Sequence, residues 1–297
     1  MRYYDPVDGF NVIPVSGLRS PVVVVGFTGW SDTGTVTQDT ARRLIDAHHA
    51  QRFLEVDPEE YYVFTDTRPT VRLDEEGMRA IEWARNEAHY ARVPASEHDL
   101  IVVTGVEPNL RWRTFSTRLA DAIAEHKPSL VCTLVARPSA TPHTRPVPVN
   151  GSSADPELAA RYGLSRSMYQ GPTGIVGVLH DALRQRGVPL ISLAAGVPHY
   201  LNVDENPAAT LALLRALEPI TGIPAPIGDL EAEVVRFVER VEEASRGDDQ
   251  IGAYVKSLEE HYGEPDTETP SGPEGELPSA ADILKDIEDL LRGGQDS

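Results

Sequence analysis

The apolar positions of this chain follow two rhythms. Short continuous apolar runs occupy residues 22–25, 61–65, 100–104, 130–135 and 190–195. Runs of that length between polar, glycine and proline positions predict strands buried on both faces. Between several of them the apolar residues recur at helical spacing. Phe115, Leu119, Ala122 and Ile123 form one stripe, and Ile175, Leu179, Ala182 and Leu183 form another that Gly187 stops. Asn206 and Pro207 read as an N-cap and first helical residue ahead of Leu211, Leu214 and Leu217. The alternation predicts an α/β fold, a mostly parallel sheet with helices on both sides. Residues 61–93 are less regular. There, 68–73 and 80–83 read as extended pieces of a hairpin added to the sheet edge.

At Asp229 the pattern changes. Leu230, Val234, Phe237, Val238 and Val241 keep helical spacing behind an Asp229 cap, and Ile251, Tyr254, Val255, Leu258 and Tyr262 repeat it after Gly247. The expected organisation is an α/β core over residues 1–228 and a helical hairpin over 229–262. Residues 263–279 hold five acids and no base, the composition of a flexible acidic linker. A capping-box pattern at Ser279 and Asp282 then opens an amphipathic helix over 280–292, with Ile283, Leu284, Ile287, Leu290 and Leu291 as its stripe. So short a helix needs a surface to dock on. Its own core, a neighbouring subunit and another protein all remain open.

The first strand runs into Gly26, Gly29 and Gly34 and then into a helix. Such a loop suits a phosphate at the helix N-terminus. The spacing matches neither common phosphate-binding glycine motif and no lysine lies near, so a tight turn without a ligand is the first reading. Only three lysines, Lys127, Lys256 and Lys285, occur in the 297 residues, against 24 arginines. That weighs against a nucleotide-triphosphate enzyme. The formal net charge is −19, and residues 229–297 carry 20 acids and 6 bases, so the acidity is concentrated in the C-terminal part. No basic cluster suggests nucleic acid as a partner. No apolar window approaches a membrane span, and the opening residues lack a signal-peptide core. Cys132 is the sole cysteine and sits in an apolar run, which reads as a buried thiol. A cytoplasmic protein with no membrane contact is expected.

In an open α/β sheet, ligands gather at the carboxyl ends of the strands. The candidates there are Trp30, Asp32, Glu107, Asn109, Arg113, Arg137, His143, His199 and Tyr200. Asp32 reads first as a helix cap, His199 as a structural histidine, and Glu107 with Arg113 as a surface ion pair. Trp30 suits a core or subunit contact as well as ligand stacking. No nucleophile elbow or paired-histidine metal motif is present, so no metal and no cofactor are expected and no catalytic residue can be assigned.

Three segments together carry a family likeness. Residues 26–34, GFTGWSDTG, resemble the opening G-x-x-G-W-x-D-x-G pattern of the proteasome assembly chaperone 2 family. Gly171-Pro172-Thr173-Gly174 resembles its later glycine turn, and 192–206, SLAAGVPHYLNVDEN, its P-H-Y and N-P region. The order and spacing match over roughly residues 10–220, and the arginine-rich composition resembles that of actinobacterial members. The resemblance implies a three-layer α/β/α sandwich similar to purine nucleoside phosphorylases. It also implies self-assembly, a trimer first, and a link to proteasome subunits. Some relatives carry a C-terminal hydrophobic-Tyr-any tripeptide, which Gly294 to Ser297 do not match. The expected function is therefore a non-enzymatic, oligomeric, chaperone-like one. An enzyme or sensor for a small anionic metabolite at the strand-end loops is the alternative. A purely structural oligomer with a working tail is the third reading.

Overall fold

The computed structural model describes residues 8–74, 76–201, 203–245 and 249–262. The expected linker and tail helix, residues 263–292, lie outside the described residues. The chain begins with β1 (Phe10–Val12), β2 (Val22–Thr28), α1 (Val36–Ala47) and β3 (Gln51–Val56). A ribbon of β4 (Thr70–Leu73) and β5 (Arg79–Glu82) follows, then β6 (Asn86–Ala91), β7 (Leu100–Val106) and α2 (Trp112–Glu125). Next come β8 (Leu130–Ser139), β9 (Val149–Ser152), α3 (Pro156–Tyr162), α4 (Ile175–Arg184) and β10 (Leu190–Pro198). Helices α5 (Pro207–Thr221), α6 (Leu230–Ser245) and α7 (Asp249–Glu260) complete the described chain.

One eight-stranded sheet runs in the order β1-β3-β6-β7-β2-β8-β10-β9. Its centre, β7-β2-β8-β10, is parallel, as the buried apolar runs require. Strands β1, β6 and β9 run against their neighbours, so the sheet is mixed but mostly parallel. The four valines of β2 show how it is covered. Val22 and Val24 pack with α1 and α5, whereas Val23 and Val25 pack with α2 and α4. Successive strand residues face opposite sides, so a strand apolar at every position demands helices on both. Each valine buried this way contributes about 1.5–3 kcal/mol before entropy is counted.

Two sequence expectations are corrected. Residues 61–65 are not a strand; they follow a short 3-10 turn at Pro58–Glu60. Tyr61 and Tyr62 are buried from that turn, and their hydroxyls donate to the carbonyls of Asp8 and Val106, each at 2.6 Å. Aromatic rings reach the core from irregular backbone when their hydroxyls find partners. The strand of this region is β3, ten residues earlier. The hairpin does form, but as a separate two-stranded sheet and not on the main sheet's edge.

Helix α5 begins as the sequence implies. The Asn206 side chain accepts from the Ala209 N–H at 3.0 Å, with Pro207 in the first turn. Helices α6 and α7 bring Phe237, Val241, Ile251, Val255 and Leu258 into one cluster with Tyr200 and Leu201. They therefore lie over the segment that leaves β10.

Candidate functional site

Strands β2 and β7 pair in parallel with Thr28 opposite Val106, so the turns that follow them are neighbours. This sets Glu107 beside the Gly29-Trp30 turn. One carboxylate oxygen of Glu107 accepts the Trp30 N–H at 2.8 Å. The other accepts the Ile175 N–H at 2.7 Å, in the first turn of α4. A helix N-terminus offers unpaired N–H groups and partial positive charge to an anion. Here the anion is the protein's own side chain. Gly29 has φ +125°, and a Cβ on it would lie 2.7 Å from Glu107, which explains the glycine. The result is a fixed turn whose Trp30 side chain stays 70% exposed.

The N-cap of α1 is Thr35, and Asp32, three residues earlier, reaches the first turn of that helix from outside it. Asp32 accepts from the Thr37 N–H at 3.1 Å and the Thr37 hydroxyl at 2.9 Å. Burial pushes its carboxyl up to about 7, against the pull of those donors and the Gln38 N–H. The turn closes on the far end of the chain. The Thr35 N–H donates to the Asp204 carbonyl at 2.8 Å, and a Cβ on Gly34, at φ +67°, would lie 2.5 Å from the same oxygen.

His143, His199 and Tyr200 form a second cluster. The Tyr200 hydroxyl accepts from the His143 N–H at 2.8 Å and meets His143 Nδ1 at 2.7 Å. Burial holds the His143 imidazole below its usual pKa. His199 contacts the Ser139 carbonyl through Nδ1 at 3.0 Å and the Tyr254 hydroxyl through Nε2 at 2.9 Å. Thr144 bonds to Glu259, and the Tyr262 hydroxyl donates to the Pro146 carbonyl at 2.7 Å. These side chains join the ends of β8 and β10 to α7.

The remaining candidates stand apart. The Asn109 side-chain oxygen accepts from the Val63 N–H and the Thr67 hydroxyl, both at 3.0 Å, and so organises the loop after β3. Arg113 and Arg137 are exposed, and neither has an ion pair among the described residues. The expected Glu107–Arg113 pair does not form, because both Glu107 oxygens face backbone N–H groups. Open cavities of about 730 and 640 Å³ occur in the structure, and none of the nine candidates lines either. Among the described residues no group of three or more His, Cys, Asp or Glu side chains is placed to hold a metal.

A family model for the PAC2 family matches residues 26–245, most of the chain and all of these clusters except the α7 groups. The chain belongs to the PAC2 family. A PAC2 family protein of Streptomyces avermitilis is 40% identical, with a TM-score of 0.72 over 79% of this chain and 99% of its own. A Mycobacterium tuberculosis proteasome-assembly chaperone homologue is 37% identical, with a TM-score of 0.71 over the same shares, 79% and 99%. PbaB of Pyrococcus furiosus, an archaeal proteasome activator, is 20% identical and shares the fold at a TM-score of 0.60, over 80% of this chain and 97% of its own. No curated protein matches the chain. In this PAC2 member the glycine turn is thus a built structural unit, with Glu107 at its centre.

Sequence reasoning missed Thr37, Asp204 and Tyr254 as partners of the candidate residues. Thr37 had a signal, since it lies five residues past Asp32 at the start of a helical stripe. Asp204 acts through its backbone carbonyl, which carries no residue-type signal. Tyr254 was legible only as one position of an apolar stripe.

Proposed function

We propose that this chain is a non-enzymatic, oligomeric, chaperone-like protein of the cytoplasm that acts in proteasome assembly, as a trimer. The observation that carries the reading is the occupation of the α4 N-terminus by Glu107. The backbone donors that a phosphate or carboxylate substrate would use already hold a protein carboxylate. The Tyr200 hydroxyl meets His143, and His199 spends its two ring nitrogens on the Ser139 carbonyl and on Tyr254 of α7, while the buried His143 Nε2 has no partner among the described residues. What the carboxyl edge offers outward is the apolar Trp30 together with the exposed Arg113 and Arg137. Such surfaces suit protein contacts. The 37% identical mycobacterial homologue supports proteasome subunits as the clients.

The amphipathic stripe of Ile283, Leu284, Ile287, Leu290 and Leu291 is assigned to client contact. Native mass spectrometry of the full chain mixed with separately purified actinobacterial proteasome α and β subunits tests this. Complexes with free subunits are expected, and Leu284→Asp with Leu291→Asp should abolish them. Absence of any complex at micromolar concentrations overturns the reading. Low-micromolar ATP binding that is lost on substitution within residues 26–34 would favour the metabolite alternative instead.

A further inference from the structure

Strands β8 and β10 break their apolar pattern at the same level. On the face toward α4, β8 presents Val131, Thr133 and Val135, and β10 presents Leu190, Ser192 and Ala194. The register pairs these residues row by row, with Thr133 beside Ser192. Strand β9 then sets Ser152 opposite Ser192. Thr133, Ser192 and Ser152 therefore make one row of hydroxyls across three strands. Polar groups on a face covered by a helix need partners. Thr133 has one. Its hydroxyl lies 2.7 Å from Nε2 of His180, on α4, and 3.4 Å from the Ile191 carbonyl. With its proton on that carbonyl, Thr133 accepts from the Nε2–H, and Nδ1 of the neutral ring is left as an acceptor. Burial keeps that ring neutral, with its pKa lowered to about 4. Neither Nδ1 nor the hydroxyls of Ser152 and Ser192 have a partner among the described residues.

Ser152, Ser192 and His180 line a cavity of about 640 Å³ between the C-terminal half of α4, the start of β10 and the loops around α3. Small-molecule sites have volumes of roughly 300–1,000 Å³. Val188, Pro189 and Leu190 supply an apolar wall. Arg166 stands at the rim, and its position is built. The residue before it, Ser165, bridges to Ser152. The Ser165 N–H donates to the Gly151 carbonyl at 3.0 Å, and its carbonyl accepts the Ser153 N–H at 3.0 Å. The acids around the cavity are already engaged. Asp155 caps α3 through the Glu157 and Leu158 N–H groups, and Asp181 holds Arg184 at 2.5 Å and Gln185 at 2.7 Å. Arg166 is exposed and has no ion pair among the described residues.

We propose that this cavity binds a small hydroxylated anion, a sugar acid or sugar phosphate. The anionic group pairs with Arg166, whose guanidinium suits carboxylate and phosphate alike. Ligand hydroxyls donate to His180 Nδ1 and exchange hydrogen bonds with Ser152 and Ser192, which both donate and accept. The C–H face of the ligand lies on Val188 and Pro189. A wholly apolar ligand would leave the polar floor unpaired, and a cation would meet Arg166. The cavity is at the opposite end of α4 from Glu107, so the inference does not rest on the proposed function. It is a binding site, and no bond of the ligand is made or broken there.

Isothermal titration of the full chain with gluconate and with glucose-6-phosphate tests this, with glucose and inorganic phosphate as the partial ligands. At least one of the two hydroxylated anions should bind with a sub-millimolar Kd, and both partial ligands far more weakly. Arg166→Gln should weaken binding about tenfold or more, the worth of a charged hydrogen bond, and Ser192→Ala several-fold. Both substitutions remove atoms and fill nothing, so their thermal unfolding should overlay that of the wild type. If Ser192→Ala does not, Ser152→Ala takes its place. No binding of either anion at millimolar concentration overturns the proposal. Binding that either substitution leaves unchanged places the ligand elsewhere and overturns it as well. Inorganic phosphate bound as tightly as glucose-6-phosphate would show that the hydroxyl row takes no part, with the same consequence.

Discussion

Glu107 shows how one side chain settles what a helix N-terminus does. Its two oxygens satisfy two backbone donors that come from different turns. In Glu107→Gln the amide can accept one of these N–H groups, but its NH₂ must then face the other. The expected loss is about 1–3 kcal/mol, the cost of leaving a donor unsatisfied. Urea unfolding measures it, and an unchanged midpoint would show that the two bonds are not needed. Asp32 offers a pH signature. Its native pKa of about 7 lies above the ordinary value of 3.8, so between those limits the folded chain holds a proton that the unfolded chain releases. Its contribution is fully present below pH 4 and is lost as pH rises to 7, by at most about 1.4 kcal/mol per pH unit. Asp32→Asn should therefore gain stability relative to the wild type as pH increases from 4 to 7. Parallel stability curves for the two proteins would contradict this.

At the scale of elements, α6 starts in the α1–α5 core cluster through Leu230 and Val234, and its later turns and α7 are held by a separate apolar cluster and a few polar ties. Phe237→Ala should cost about 3 kcal/mol, the usual price of an aromatic core truncation. The damage should be local, because Phe237 packs with Tyr200, Leu201 and α7 and not with the two clusters that flank the sheet. Hydrogen exchange should quicken across residues 237–245 and 249–260 while the amides of β2 stay protected; equal loss of protection in β2 would mean that these turns are integral to the core. The same scale shows what was hard to read. β3 is QRFLEV, with charged residues interrupting it and a register shift between Arg52 and Leu54. β6 is NEAHYA, whose buried Asn86 and Ala88 give no apolar rhythm. Both are specified by pairing with distant strands, and a short sequence window does not contain that partner.

For the whole molecule, acid should be the damaging direction. Burial holds His89, His126, His143 and His180 below the ordinary 6.5, His180 at about 4. Unfolding lets each take a proton, so stability present above pH 6.5 is lost as pH falls below it. Asp32 opposes this with a single group of the other sign. The buried Asp99 adds to the loss at still lower pH. Desolvation raises its pKa, but the Arg19 side chain and the Arg19 and Val93 N–H groups outweigh that and lower it overall. Urea midpoints should therefore decline from pH 7 to pH 5, and His180→Gln should flatten the decline. His180 is a good probe because its Nε2 lies 2.7 Å from the Thr133 hydroxyl, a contact that glutamine can imitate. A midpoint constant over that range would refute the assignment.

The sequence alone determined what depends on local chemistry. Four adjacent valines require cover on both faces, Asn206-Pro207 starts a helix, and the glycines of 26–34 force a tight turn. Those features are fixed by side-chain period, capping and allowed φ, and each is complete within a few residues. The tertiary structure alone decided what the turn is for. Residues 29–30, 107 and 174–175 come together because β2 and β7 run parallel and α4 begins at their carboxyl edge. It also decided that His199 and Tyr200 would hold α7, and that the 70–82 ribbon would stand clear of the sheet. Whether a carboxylate meets a ligand or a backbone N–H depends on which distant segments arrive beside it, and contacts between distant segments are a property of the packed chain.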